Sequence, residues 1–186
     1  MFSVFRKVSF ICCLFCGLST VTIAADDSAV YADIPKPELE FLFEATVTLD
    51  PPREVGTTRY GKRRIIGING GTFHGPQLSG KVLSGGADWQ TVRADGTADL
   101  VADYSLQTSD GEIIYVHNEG LRTATPEVLA RLAKGEDLPA DAYYMRTAAK
   151  LEIAADSEYA WLNKTMIIST GMRKANSVVL HFYRIK

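Results

Sequence analysis

Few side chains in this chain of 186 residues combine the types and spacing that acid–base chemistry requires. Asp88 stands directly before Trp89 and after a double glycine. A carboxyl group beside an indole can sit in a dry pocket that raises its pKa, which suits a general acid or base. Glu152 is a second candidate base, and Arg146 offers donors that could stabilise a developing oxyanion. A turn-capping aspartate beside a core tryptophan is the alternative, and it stays open.

Aromatic and amide side chains could supply the wall of a ligand site. Tyr144, Arg146 and Glu152 share one parity of a predicted strand, so together they face either water or a polar lumen. The alternation alone does not decide between these two environments. Trp161 and Asn163 share a parity on the next predicted strand, where core packing is the alternative role for the indole. We predict one ligand cavity, with both indoles stacking on a planar substrate, lined by Trp89, Arg146, Trp161 and Asn163.

Other motifs argue against several enzyme classes. The glycines between residues 67 and 86 lack the lysine and the following helix of a phosphate loop, so turns, bulges and barrel corners are the preferred interpretation. No Gly-x-Ser-x-Gly elbow occurs, which disfavours an α/β serine hydrolase. His74, His117 and His181 lack the short spacing of a helical zinc pair. We therefore expect no cofactor and no tightly bound metal.

The N-terminal segment has the three parts of a cleavable signal peptide. Arg6 and Lys7 supply a basic start, and an apolar run covers residues 8–18. Thr22 and Ala24 place small residues at the −3 and −1 positions, so we expect cleavage after Ala24. An uncleaved anchor and a lipoprotein are the alternatives. The sequence predicts export to the periplasm or the extracellular space.

Three regions follow from this reading: a signal peptide over 1–24, a flexible leader over 25–37 and one domain over 38–186. All three cysteines precede the cleavage point, so the mature chain could form no disulfide and no thiolate metal site. Cleavage changes the formal charge from −2 to −4, which gives no electrostatic footprint for nucleic acid. No second apolar run approaches the ~20 residues of a membrane-spanning helix.

Period-two alternation predicts that the domain is built mainly from strands. Residues 38–49 alternate apolar and polar side chains, and Asp95-Gly96 and Asp110-Gly111 are hairpin dipeptides. Cap and proline signals predict one short helix over 126–134. This content predicts a single calycin-like antiparallel β-barrel of about eight to ten strands, with a two-sheet sandwich as the alternative. Further strands are predicted over 63–68, 80–84, 87–93, 98–107, 112–118, 143–153, 159–170 and 177–185.

Several of these motifs occur together in one known family. They are Gly70-Gly71-Thr72-Phe73, Gly75-Pro76, Gly85-Gly86-Ala87-Asp88-Trp89, Asp95-Gly96, Tyr143-Tyr144-Met145-Arg146-Thr147 and Trp161-Leu162-Asn163. From about Leu39 onward the chain resembles the domain of unknown function 3237 family, also called uncharacterised protein family 0311. The resemblance implies a β-barrel. For some fungal members it also implies ring closure, in which a hydroxyl adds across an activated double bond of a small aromatic molecule without a redox cofactor.

Three functions remain open at this point. The first is a small-molecule lyase, isomerase or cyclase that works in a barrel lumen. The second is a non-catalytic binding protein for a small apolar or aromatic ligand, and the third is a structural domain with a packed lumen. The first two share a pocket and differ in whether a carboxyl group of perturbed pKa lies beside a cluster of donors. We expect a small-molecule partner, no nucleic acid and no membrane, and homo-oligomer formation is left open.

The signal peptide gives a direct test. We expect the exported protein to begin at Ala25, because Thr22 and Ala24 present the small side chains that a signal peptidase requires. Intact-mass measurement of the exported protein checks the cleavage site. A product that retains Met1 would contradict it.

Overall fold

The computed structural model describes residues 34–186 of the chain. The predicted signal peptide and most of the predicted leader lie outside the described residues. The strands are β1 Leu39–Leu49, β2 Arg53–Thr58, β3 Gly61–His74, β4 Ser79–Val82, β5 Ala87–Val92, β6 Ala98–Thr108, β7 Ile113–Thr123, β8 Tyr144–Glu152, β9 Ile167–Arg173 and β10 Ser177–Ile185. One helix, α1, covers Pro126–Ala133, and two 3-10 turns cover Ala140–Ala142 and Ala160–Lys164. Within residues 34–186, no helix is long and apolar enough to cross a membrane.

The strands close into an antiparallel barrel with eight strand positions. Neighbouring strands run β1, β10, β9, β8, β7 and β6, and β3 closes the circuit by pairing with β1. Between β6 and β3, β4 and β5 lie end to end and share one position. β2 pairs with the part of β3 that β1 leaves free, so β1 and β2 share another position. The predicted all-β barrel with one short helix is confirmed. A barrel of eight positions has an interior that side chains fill or that holds one small ligand.

Glycine allows β3 to bend where it closes the barrel. Gly70 and Gly71 have φ angles of 128° and 140°, and the register between β1 and β3 shifts at this point. A Cβ atom at Gly71 would collide with the carbonyl oxygen of Thr46 on β1. The predicted Asp-Gly turns at Gly96 and Gly111 are also present, with φ angles of 85° and 101°. These turns join β5, β6 and β7 into the predicted meander.

Alternation on β8 decides which of its side chains face the interior. Met145, Thr147 and Leu151 are buried, whereas Arg146 and Glu152 are exposed on the outer face. On β1 a bulge between Phe41 and Phe43 interrupts the alternation. Leu42 and Phe43 are therefore both buried, and Phe41 lies on the outer face.

Aromatic packing fills one half of the barrel interior. Phe43 stacks on Phe182 with ring centroids 4.6 Å apart and meets Phe73 edge-on at 5.4 Å. Leu106 and Ile114 are fully buried in the same half. The opposite end of the barrel, which α1 flanks, carries the polar interior residues.

Several segments differ from the predicted strands. β3 and β7 continue to His74 and Thr123, beyond their predicted ends at 68 and 118. The predicted strand over 159–170 begins as a 3-10 turn, and β9 starts only at Ile167. Ser157 accepts the backbone N–H of Tyr159, and the Asn163 amide bonds both the N–H and the carbonyl of Ile153. Such side-chain bonds to the backbone compete with strand pairing. β2 was not predicted, because its one large apolar residue, Val55, is exposed and leaves no alternating pattern.

The aromatic half of the barrel should dominate stability. Phe43→Ala removes a fully buried ring and should lower the free energy of unfolding by about 3–5 kcal/mol. Phe41→Ala, two positions away on the outer face, serves as the matched control and should lower it by about 1 kcal/mol or less. Urea unfolding of both variants measures the difference. Equal losses would show that the assigned bulge in β1 is wrong.

Candidate functional site

The open half of the barrel contains a cavity of about 50 Å³, called here the inner pocket. Its walls are mostly apolar, and a few polar side chains enter it from alternate positions of neighbouring strands. The apolar lining residues are Val47, Leu49, Ile66, Ile68, Leu100, Ala102, Met145, Val178 and Leu180. The polar lining residues are Asp88, Gln90, Tyr104, Asn118, Arg122, Thr147 and Arg173. A few convergent polar groups in an apolar cleft are typical of small-molecule sites.

Asp88 is the carboxyl group of this pocket. Gln90 donates its amide N–H to Asp88 Oδ2 at 2.5 Å, and the backbone N–H of Val101 donates to Oδ1 at 3.3 Å. Burial raises the pKa of Asp88, and these two hydrogen bonds and the charges of Arg122 and Arg64 only partly oppose that rise. A carboxyl group of raised pKa can hold a proton and release it, as an acid–base catalyst must.

Three buried polar atoms in or beside the pocket have no hydrogen-bond partner within the described chain. They are the Tyr104 hydroxyl, Asn118 Oδ1 and Arg122 Nε. Burial, and secondarily the charge of Asp88, raises the pKa of Tyr104, so its phenol stays protonated and able to donate. Unpaired buried polar groups cost about 1–3 kcal/mol each. Three polar groups that the protein itself does not satisfy therefore converge on one cavity.

Three arginines surround the mouth of the inner pocket. Arg64 donates from Nε and NH2 to Gln90 Oε1, at 2.9 and 2.7 Å, so Gln90 links Arg64 to Asp88. Burial, together with repulsion from Arg64 and Arg173, lowers the pKa of Arg122 to about 10. Burial and the charge of Arg64 also lower the pKa of Arg173. Among residues 34–186, no acidic side chain forms an ion pair with any of the three.

A second cavity, of about 560 Å³, lies between the barrel mouth and α1 and is called here the vestibule. Ile66, Arg122 and Arg173 line both the vestibule and the inner pocket, so the two cavities adjoin at these side chains. Thr125 caps the start of α1, whose Leu132 is buried against the barrel core. The helix therefore forms a fixed wall of the vestibule.

The structure separates Asp88 from the other predicted site residues on its own strand and on β8. Asp88 faces the lumen, but Trp89 is 43% exposed on the outer face, because successive strand residues point to opposite sides. Arg146 also lies outside, where it donates to the carbonyl of Met145 and stacks over the ring of Tyr144 at 5.2 Å. Glu152 is exposed on the same face. Of the two environments left open for this face of β8, the structure shows water, so the predicted catalytic residues Arg146 and Glu152 do not lie beside Asp88 in the lumen.

The predicted cavity between the two indoles is also wrong. Trp161 lies half-buried in the second 3-10 turn, where the guanidinium of Arg184 lies 5.5 Å from its ring. Asn163 is exposed and holds the backbone of Ile153. None of the cavities found in the described part of the chain is lined by both indoles, and Arg146 shares no cavity with either.

Sequence reasoning missed most of the lumen residues. The alternation on β6 could have placed Tyr104 in the lumen, because it shares a parity with Leu100 and Leu106. Arg122 and Arg173 lie beyond the predicted ends of their strands, at 118 and 170, so no parity was assigned to them. A longer β7 that continues the parity of Val116 through Asn118 would have placed Arg122 inside.

The raised pKa of Asp88 has a consequence for stability. The folded protein binds the Asp88 proton more tightly than the unfolded chain, whose pKa is near the ordinary 3.8. The stability linked to this proton is full below that value and is lost as the pH rises through the raised pKa. The amide of Asp88→Asn does not titrate, so the free energy of unfolding of this variant relative to the unsubstituted protein should increase as the pH rises above 3.8.

Urea unfolding of the two proteins at several pH values measures this difference. Glu152→Gln, which removes an exposed carboxyl group from the outer face, is the matched control. A difference that falls as the pH rises would mean that the pKa of Asp88 is depressed.

Known proteins share this fold and much of this sequence. A family model described as "Protein of unknown function (DUF3237)" matches residues 37–185. A UPF0311 protein from Clostridium acetobutylicum is 35% identical over 154 residues, which cover 82% of this chain and 97% of that protein. A crystal structure of a conserved protein of unknown function from Rhodopseudomonas palustris matches with a TM-score of 0.77 and 33% identity, covering 82% of this chain and 99% of that one.

An enzyme is also among the relatives. A hydroalkoxylation enzyme from Penicillium herquei is 39% identical over 80 residues, which cover 43% of this chain and 53% of that protein. A crystal structure of an enzyme from Penicillium herquei matches with a TM-score of 0.61 and 27% identity, covering 82% of this chain and 97% of that one. The family model and the bacterial relatives together span nearly all of the barrel, and the chain belongs to the DUF3237 family, also called UPF0311.

Proposed function

We propose that this protein is an enzyme that carries out cofactor-free acid–base chemistry, of lyase, isomerase or cyclase type, on a small apolar or aromatic molecule. The observation that carries the proposal is Asp88: among residues 34–186, it is the one carboxyl group that lines the inner pocket. Its pKa is raised by burial, and the protonated phenol of Tyr104 lines the same pocket. The kinship with a hydroalkoxylation enzyme supports catalysis in this fold.

Addition of a hydroxyl across an activated double bond is the reaction that suits these groups. The Asp88 carboxylate takes the hydroxyl proton as the oxygen forms a bond to the β-carbon of the alkene. The π electrons of the alkene move toward the activating carbonyl, and the Tyr104 hydroxyl, which lines the same pocket and has no partner within the described chain, donates to the resulting oxyanion. Asp88 then returns the proton to the α-carbon. The product is an isomer of the substrate, and no oxidant or reductant is consumed.

The sizes of the two cavities determine how a substrate can lie. At about 50 Å³ the inner pocket holds only the reacting end of a molecule. The vestibule, at about 560 Å³, is within the ~300–1,000 Å³ range of ligand pockets. We therefore place the body of the substrate in the vestibule and its reacting group beside Asp88.

We further propose that the protein acts after export, with residues 1–24 removed as a signal peptide. This part of the proposal rests on Arg6 and Lys7, the apolar run 8–18, and the small residues Thr22 and Ala24. Mass measurement of the exported protein, as described above, tests it independently of the reaction.

Turnover of a model substrate tests the reaction. We expect the protein to convert 2′-hydroxychalcone, whose alkene is activated by a carbonyl, into flavanone with one enantiomer in excess. Asp88→Asn should slow this conversion by about 10²–10⁴-fold, because general acid–base catalysis contributes that much. Glu152→Gln, an outer-face carboxyl, should leave the rate within about twofold of the unsubstituted protein. Chiral chromatography of the products gives both measurements.

Two results would count against the proposal. Equal turnover by Asp88→Asn and the unsubstituted protein would remove Asp88 from the chemistry. Racemic product at the rate of buffer alone, with 2′-hydroxychalcone still bound by the protein, would favour the alternative of a non-catalytic binding protein.

A further inference from the structure

We propose that the vestibule binds an oxyanion group, a carboxylate or a phosphate, carried by an otherwise apolar small molecule. The inference deepens the proposed function, because it names the class of substrate whose reacting end reaches Asp88. The anion site itself depends only on the vestibule and the side chains that line it.

The vestibule is lined by cations without acids. Among the residues that line it, five carry positive charge and none is aspartate or glutamate: Lys62, Arg64, Arg122, Lys134 and Arg173. Of these five, only Lys62 reaches an acidic side chain, at 3.5 Å from Glu54, and both partners are exposed. The other four cations form no ion pair within residues 34–186. An anion that enters this cavity therefore meets a positive field from several sides.

The arginine donors at the shared mouth of the two cavities are largely unused. Nε of Arg122 is buried with no partner in the described chain. Arg173 reaches only the backbone carbonyls of Ser177 and Ala175, at the long distances of 3.4 and 3.5 Å. Arg64 uses two of its nitrogens on Gln90. A bound carboxylate or phosphate would give the free donors charge-assisted, bidentate partners, which is the recognition that guanidinium groups favour.

Burial of these guanidinium groups destabilises the folded protein unless a bound anion compensates their positive charge. Arg122 and Arg173 are desolvated, and each is repelled by Arg64, as the lowered pKa values of both side chains record. Asp88 offsets one of the three positive charges. The other two positive charges have no acidic partner in the described chain, and an anion between the guanidiniums would compensate at least one of them, so the electrostatic complement of this site is a negative group.

The apolar side chains of the vestibule determine the chemistry of the part of the ligand that carries no charge. Leu129, Ala130, Leu132 and Ala133 of α1 line one side of the vestibule, and Ile66 and Val92 line the barrel side. Lys134 adds a cation at the C-terminal end of the helix, where the helix dipole alone would disfavour an anion. The ligand is therefore amphipathic, with one anionic group and an apolar body.

Matched probes test the charge requirement. Isothermal titration calorimetry of the full protein should show that 2-naphthoate or 2-naphthyl phosphate binds at least about tenfold more tightly than the neutral 2-naphthamide. Which anion binds more tightly distinguishes a carboxylate substrate from a phosphate substrate. Arg122→Gln and Arg173→Gln should each weaken binding of the preferred anion by about 10- to 100-fold, as loss of a hydrogen bond to a charged group predicts. Both should change binding of 2-naphthamide by less than about threefold.

Arg146→Gln is the matched control, because Arg146 lies on the outer face of the barrel, and it should leave binding of all three probes unchanged. Thermal unfolding of every variant verifies that each is folded, and Arg122→Gln should not lower the melting temperature, since it removes a buried, repelled cation.

The proposal is overturned if 2-naphthamide binds as tightly as the anions, or if both arginine variants retain full anion affinity. These outcomes leave the proposed reaction standing when 2′-hydroxychalcone is still converted. Conversely, if Asp88→Asn has no effect on turnover but Arg122→Gln weakens anion binding, the proposed reaction is refuted and the anion site is supported.

Discussion

Pairing between β1 and β3 closes the barrel, and closure imposes one constraint on every strand: alternate residues must share a small interior. An interior of eight strand positions cannot hold many large side chains together with a ligand. This protein divides that space along the barrel axis. Phe43, Phe73 and Phe182 fill one half, and smaller apolar residues with a few polar ones leave the inner pocket in the other. The packed half stabilises the fold, so the open half can tolerate polar groups that lack partners in the protein.

Charge in the open half is organised around Asp88. Gln90 connects its carboxyl to Arg64, while Arg122 and Arg173 stand where the inner pocket meets the vestibule. The environment thus separates two roles. A desolvated carboxyl group that can carry a proton lies in the narrow pocket, and cations that can hold negative charge lie at its wider mouth. In the proposed function Asp88 transfers a proton at one end of the substrate, and in the further proposal the cations hold an anionic group at the other end.

Local patterns in the sequence predicted the barrel but only part of the site. The Asp-Gly turns, the alternation of β1 and the cap and proline signals of α1 act over a few residues, so these elements were predicted near their observed bounds. The site depends on which parity of each strand faces inward, and β8 shows why this was harder: its polar residues suited either a wet lumen or bulk water. Adjacent residues such as Asp88 and Trp89 cannot face the same side of a strand. Arg122 and Arg173 enter the lumen from strand ends that the sequence pattern did not reach.

The proposed function depends on Asp88, a carboxyl group in the lumen whose pKa is raised by burial. Carbon-13 NMR of the aspartate side-chain carboxyl groups, with Asp88 assigned by comparison with Asp88→Asn, measures this pKa directly in the full protein. We expect one aspartate resonance that titrates above the ordinary value of 3.8 and that is missing from the spectrum of Asp88→Asn. A resonance of Asp88 that titrates at or below 3.8 would contradict its proposed role in proton transfer, because a carboxyl group so acidic would not hold a proton in the lumen.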